Sequence, residues 1–252
     1  MSVIPAGPLL LVSPHLDDAI LSCEALVARE EPIDVVTVFA GAPEPPQRGW
    51  WDARTGFANS DESVAARRRE DQKAFAGTPH RRTYLDLLEL QHTPTRTAGD
   101  REKIGRAVTE WLSRNPAGAI AIPAGAGCSQ ARVARWLRRL RRQDCWAPHV
   151  DHLNVRNVVL DALRGSGATP LLYEEVPYLF GAPADREAAR AAAAGGWGTE
   201  PVSVEIDRDR KSRRIAAYAS QIPHISPDEG RLDDPLILPR VERYWLLRRT
   251  SA

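Results

Sequence analysis

Four consecutive aliphatic residues, Leu9-Leu10-Leu11-Val12, stand between Pro8 and Pro14 and constrain this chain more than any other stretch. So short a run, closed by proline on each side, predicts a strand buried on both faces, as in a parallel sheet covered by helices. The chain then turns polar, with Ser13-Pro14-His15-Leu16-Asp17-Asp18. Ligands of open α/β sheets bind beyond the carboxyl ends of the strands, so the order places an imidazole and two carboxylates where a ligand site is expected. Imidazole nitrogen and carboxylate oxygen are donors for a divalent metal, and a second carboxylate remains for proton transfer. An Asp pair in this position also caps a following helix, and the segment alone leaves both readings open.

A second polar cluster, His149-Val150-Asp151-His152, opens an apolar stretch over 153–163 with helical character. Three protein ligands with an open position mark a catalytic zinc, whereas a structural zinc is closed by four ligands rich in Cys. The chain has 3 Cys, Cys23, Cys128 and Cys145, and no Cys-x-x-Cys pair, which argues against a structural site. Capping explains either Asp of the first cluster alone, but not a second His/Asp/His set; the two clusters read together as one metal site. His80, His92 and His224 lack such context and read as surface or packing residues.

These motifs resemble those of the LmbE-like, or PIG-L, family of zinc-dependent N-deacetylases. That family shows a P-H-x-D-D or A-H-x-D-D segment after its first strand and an H-x-D-H segment far downstream; here they are Pro14-His15-Leu16-Asp17-Asp18 and His149-Val150-Asp151-His152. Arg67-Arg68-Arg69-Glu70-Asp71 looks like the family's R-x-x-E helix, and Leu85-Asp86-Leu87-Leu88-Glu89-Leu90-Gln91 and Tyr218-Ala219-Ser220-Gln221 look like further family segments. The resemblance implies a Rossmann-like α/β fold and a hydrolase that removes an N-acyl group, N-acetyl foremost, from an amino sugar. The expected substrate is N-acetylglucosamine in a glycoconjugate or secondary metabolite. It implies that His15, Asp18 and His152 hold zinc, with Fe2+ as the alternative ion, and that Asp17 is the general base. His149 is then expected to stabilise the oxyanion or protonate the departing amine, and Asp151 to orient one of the two histidines beside it. Two alternatives stand: an amidase for a larger amide such as a thiol-sugar conjugate, and a catalytically silent metal- or sugar-binding module. Retention of Asp17 and His149 argues against the second.

At 252 residues, 43% hydrophobic and 27% charged, the chain suits one α/β domain spanning 1–252. A formal net charge of +1 leaves no global field for nucleic acid or a membrane surface. Met1-Ser2-Val3-Ile4-Pro5 has no basic stretch leading into an apolar core, no run is long enough to span a bilayer, and sparse Cys fit a reducing compartment. A cytoplasmic protein acting on a small molecule is expected.

Short apolar runs alternate with helical patterns. Helices are predicted over 19–29, 65–75, 101–114, 186–194 and 211–220, and strands over 33–39, 119–122, 171–173, 202–206 (an edge) and 244–247. That alternation predicts a mainly parallel sheet with helices on both faces. Residues 41–61 are turn-rich and carry Trp50, Trp51 and Phe57; they read as a long loop whose aromatics either stack on a ligand or pin the loop to the body. Residues 129–146 set Val133, Trp136, Leu137 and Leu140 among many arginines, a departure from the family's spacing that reads as a solvated amphipathic helix rather than a basic lid. Arg67 and Glu70, at helical spacing, are expected to pair with each other.

Overall fold

The computed structural model describes residues 3–93, 95–125, 149–180 and 184–249. β1 (Leu9–Ser13) is buried at every position, as its aliphatic run requires. It lies within a seven-stranded sheet with β2 (Asp34–Thr37), β3 (Arg81–Tyr84), β4 (Ala119–Pro123), β5 (Thr169–Tyr173), β6 (Trp197–Glu205) and β7 (Val241–Arg249), in the order β3-β2-β1-β4-β5-β7-β6. The pairings from β3 through β5 are parallel, and β7 joins β5 and β6 antiparallel. From β1 the chain steps to β2 on one side and later returns to β4 on the other, so strand order reverses between β1 and β4. Side chains emerging there face a crevice flanked by diverging connections, the usual ligand position of such sheets.

Alternation along the strands feeds two cores. Leu10, Val12, Ile120, Ile122 and Leu172 pack on one face against α5 (Ala98–Arg114), α6 (Val150–Ala162) and α7 (Asp185–Gly195). Leu9, Leu11, Ala121, Leu171 and Tyr173 pack on the other against α1 (Asp18–Ser22), α2 (Glu24–Val27), α4 (Ser60–Ala74) and α8 (Arg208–Ile215). The fold is thus the expected mainly parallel α/β sheet with helices on both faces. Among the described residues no helix is long and apolar enough to cross a membrane.

Several local expectations are corrected. β3, Arg-Arg-Thr-Tyr, carries no apolar run because it is an edge strand with exposed and half-buried positions. The helix expected over 19–29 breaks at Cys23, where φ −133° and ψ 41° leave the helical region. The Glu242 carboxylate from β7 accepts the N–H groups of Glu24 and Ala25 at 2.7 and 2.8 Å, satisfying a second helix start there. The segment 41–61 is not one loop: it holds α3 (Trp50–Arg54), and α4 begins at Ser60 with Asn59 accepting the Glu62 N–H at 3.0 Å. The helix expected over 211–220 ends at Ile215, ahead of α9 (Ile222–Ile225). α7 closes on Gly196, whose φ of 68° a side chain would resist. The arginine-rich stretch 129–146, Cys128 and Cys145 lie outside the described residues; Cys23 is buried and unpaired.

Candidate metal centre

The end of β1 is wound into a tight turn by Ser13, whose hydroxyl donates to the His15 carbonyl (2.6 Å) and accepts the Ala19 N–H (3.0 Å). Inside this turn Asp18 Oδ2 accepts the His15 N–H at 2.8 Å and lies 3.1 Å from His15 Nδ1. Asp17 occupies the cap position of α1 yet makes no side-chain cap bond. Capping therefore does not explain Asp17, and Asp18 uses the oxygen that accepts the His15 N–H to face the His15 ring as well.

α6 starts at the switch point opposite. His149 is its extended N-cap residue, and His152, fully buried, comes on the first turn. His152 Nε2 stands 3.3 Å from His15 Nδ1 and 3.4 Å from Asp18 Oδ2. Three donors therefore form a triangle with edges of 3.1, 3.3 and 3.4 Å. Tetrahedral ligands at the bond lengths usual for zinc are separated by about 3.4 Å, so the triangle has the dimensions of three ligands sharing one ion. The His149 ring lies 4.8 Å from that of His152 and 5.2 Å from that of His15. The three histidines also offer nitrogens within 4.8 Å of one another, a looser set than the triangle containing Asp18.

Each of the two triangle histidines has a carboxylate behind it. His152 Nδ1 faces Glu175 Oε1 at 2.9 Å, and the same oxygen accepts the Gly125 N–H at 3.1 Å. His15 Nε2 faces Asp151 Oδ2 at 3.2 Å, and Asp151 Oδ1 accepts from Arg96 Nε at 2.8 Å. Asp151 thus serves the histidine of the other motif, not His149 or His152 beside it. Adjacent helical residues project in different directions and cannot face each other. Glu175 and Arg96 belong to no sequence motif; the one signal for Glu175 is its place just past the buried strand Leu171-Leu172-Tyr173.

The electrostatics separate the two aspartates. Burial, then the neighbouring Asp18 charge, raise Asp17 to about 6 against the opposing pull of Arg67 and His15. Asp18 is desolvated as well, but His152 and His15 hold it well below the usual range. For His15, burial disfavours charge, yet hydrogen bonds to Asp151 and Asp18 carry its pKa well above the usual value. Burial and then the neighbouring His152 and His15 push His149 down to about 3. That shift favours the uncharged imidazole. Among the described residues its buried Nδ1 has no hydrogen-bond partner, and its ring stacks on Tyr178 at 6.1 Å.

Beside the triangle, Arg67, 4% exposed, bonds Glu89 at 2.5 Å rather than Glu70. Glu70 instead accepts the Ser220 N–H and hydroxyl at 2.8 and 2.7 Å. Tertiary partners displace the expected pair because Arg67 is turned into the protein. Gln91 donates to Glu89 and accepts the N–H groups of Trp51 and Asp52, tying α3 to this network. Trp51 Nε1 bonds Gln221 at 2.8 Å, which pins that ring to the body, while Trp50 is exposed. His80 and His92 are packing residues: His80 bridges Val27 and Ile33, and the His92 side chain is buried beside Asp52.

The fold thus sets three donors with the spacing of ligands to one divalent ion at the switch point of an α/β sheet, where ligands of such sheets bind. No protein-family model matches the chain. It is similar to the 2'-N-acetylparomamine deacetylase of Streptomyces fradiae, 28% identical over 232 residues that cover 85% of this chain and 74% of that protein. Among solved structures it resembles the zinc-inhibited form of teicoplanin deacetylase Orf2 with a TM-score of 0.68 and 21% identity, over 97% of this chain and 99% of that one. It also resembles the A40926 pseudoaglycone deacetylase Dbv21, with a TM-score of 0.63 and 24% identity over 97% and 98% of the two chains. The structural likenesses establish the fold.

Proposed function

We propose that this chain is a divalent-metal-dependent N-deacetylase of the LmbE-like (PIG-L) type, one domain over residues 1–252. It removes an acetyl group from an amino sugar such as N-acetylglucosamine carried in a glycoconjugate or secondary metabolite. The observation that supports this most is the triangle of His15 Nδ1, Asp18 Oδ2 and His152 Nε2, whose edges suit one ion. The paromamine relative, named for removal of an N-acetyl group, supports the reaction class and an amino-sugar substrate. A cytoplasmic location rests on the sparse cysteines alone.

His15, Asp18 and His152 would hold the ion, zinc or Fe2+. Bound there it supplies Lewis-acid polarisation of an acyl oxygen and lowers the pKa of water. The remaining work falls to side chains. Asp17, buried beside the donors with a pKa near 6, takes the proton of the attacking water and returns it to the departing amine, which spares the reaction a separate acid. His149, neutral, offers an N–H to the acyl oxygen as charge develops on it. Glu175 and Asp151 hold the two ligand imidazoles in one orientation. A silent binding module leaves unexplained why a carboxylate with raised proton affinity lies next to the donor set.

The test combines metal analysis with product release. The purified protein should carry one divalent ion per chain, lose it on His152→Ala, and release acetate from a panel of N-acetylated amino sugars. Metal content unchanged by His152→Ala, or a metal-loaded protein silent on the whole panel, overturns the reading.

A further inference from the structure

Arg96 lies outside every segment that the sequence motifs single out, yet its guanidinium is one carboxylate away from His15. It immediately precedes α5, whose first turn is closed by reciprocal bonds: Thr97 N–H to Asp100 Oδ2 at 2.8 Å and Asp100 N–H to Thr97 Oγ1 at 3.1 Å. That fixes Thr97, the residue next to Arg96. Its Nη1 donates to the Leu88 carbonyl, its Nε donates to Asp151 Oδ1 at 2.8 Å, and its planar group lies 4.0 Å from the centre of the Phe39 ring. Phe39 is fully buried, and its ring centre stands 5.8 Å from that of His15. With the Arg96 side chain only 6% exposed, the guanidinium is held from three directions and has one orientation to offer Asp151.

We infer that Arg96 is a positioning residue of the metal centre: by occupying Asp151 Oδ1 it aims Oδ2 at His15 Nε2, so that His15 carries its proton on Nε2 and presents Nδ1 bare to the ion. The inference rests on the function proposed above. An imidazole ligates only through an unprotonated nitrogen, and the hydrogen bond made by the other nitrogen decides which one that is. An ionised carboxylate can only accept, so Nε2 must supply the proton in the bond of 3.2 Å. An amide at the same place would reverse this. With Arg96 in place, Asp151→Asn would turn its carbonyl to the guanidinium and its NH2 to His15 Nε2, forcing the proton onto Nδ1 and blocking the ligand atom. A lysine at 96 could approach Asp151, but it lacks the planar fork that also reaches Leu88 and stacks on Phe39.

The experiment measures Zn2+ dissociation constants by competition with a chromophoric chelator. It compares wild type, Arg96→Gln, Arg96→Lys, Asp151→Asn and the double variant Arg96→Gln/Asp151→Asn. Arg96→Gln and Asp151→Asn should each bind Zn2+ about 10- to 100-fold more weakly, with Arg96→Lys between them and wild type. The double variant should be no worse than the worse single one, because both act on one hydrogen bond. Nitrogen-15 correlation spectra of the zinc-loaded proteins should show the His15 proton on Nε2 in wild type, and its resonance should move upfield in Arg96→Gln as the bond to Asp151 loosens, a signature a merely structural role would not produce. Circular dichroism and melting of the metal-free proteins check folding; if Arg96→Gln fails to fold, Arg96→Lys decides. Wild-type affinity in the folded Arg96 variant, additive losses in the double variant, or a His15 proton on Nδ1 would each overturn the inference while leaving the proposed function standing. A wild-type protein that takes up no divalent ion removes both.

Discussion

Replacing Asp17 with Asn separates catalysis from stability in a way that the geometry makes quantitative. The wild-type carboxyl is raised from the usual value of about 4 to about 6 by burial and the adjacent Asp18. For an acid whose folded pKa is raised, the associated stability is fully present below the unfolded pKa and is lost as pH rises through the folded one. The metal-free wild type should therefore give up stability between about pH 4 and pH 6, by about 1–3 kcal/mol at 1.4 kcal/mol per tenfold in proton affinity. An asparagine escapes that loss. In chelator at pH 7.5 the variant should melt higher than wild type, by about 3–10 °C for a chain of this size, and the gap should close near pH 4. Catalysis should move the other way. Without its base the metal-loaded variant should lose about a hundredfold to ten-thousandfold in kcat, about 3–5 kcal/mol of barrier, while keeping its metal. Acetate release, metal analysis and melting curves over this pH range form the assay. A variant that melts below wild type at pH 7.5, or that turns over at the wild-type rate, refutes the reasoning; one that loses metal and activity together exchanges the roles of Asp17 and Asp18.

Two other histidines give outcomes of their own. His149→Ala should lower kcat by about a hundredfold with KM nearly unchanged, and since His149 is already neutral well below pH 7, any alkaline limb of the wild-type profile should survive; steady-state kinetics showing wild-type kcat with a raised KM would make it a binding residue only. His80 bridges Val27 and Ile33 in its neutral form, and burial, followed by the charges of Arg214 and Arg29, outweighs its bond to Val27 and lowers its pKa. Its share of stability should therefore be present above about pH 6.5 and fade as pH falls below it, so melting temperatures of wild type should drop more steeply between pH 7.5 and 5.5 than those of His80→Gln, whereas parallel curves would clear His80.

How much of this was legible in the chain depended on how local the cause was. β1, β4 and β5 announced themselves because strands buried on both faces need unbroken apolar runs, and each is buried at nearly every position. Both His/Asp clusters were visible because their members sit within a few residues of each other, next to a strand end and a helix start. β3 was not, since an exposed edge strand needs no apolar face. The break at Cys23 was not either, because the carboxylate that caps α2 comes from Glu242, 218 residues away.

The site divides along the same line. Residue order alone set out His15, Asp17, Asp18, His149, Asp151 and His152 as the chemically equipped set, since their identities and spacing travel with the chain. Which of them meet was decided only when the sheet brought β1 and α6 to one switch point, closing a 3.3 Å approach between His15 and His152 across 137 residues. That closure also chose partners no periodicity could name: Asp151 for His15, Glu175 for His152, Glu89 for Arg67, and Arg96 behind Asp151. Local pattern reports which face of an element is buried. The partner and proton affinity of a buried charge depend on what distant elements bring within a few ångströms, where Coulomb interaction and desolvation are strongest.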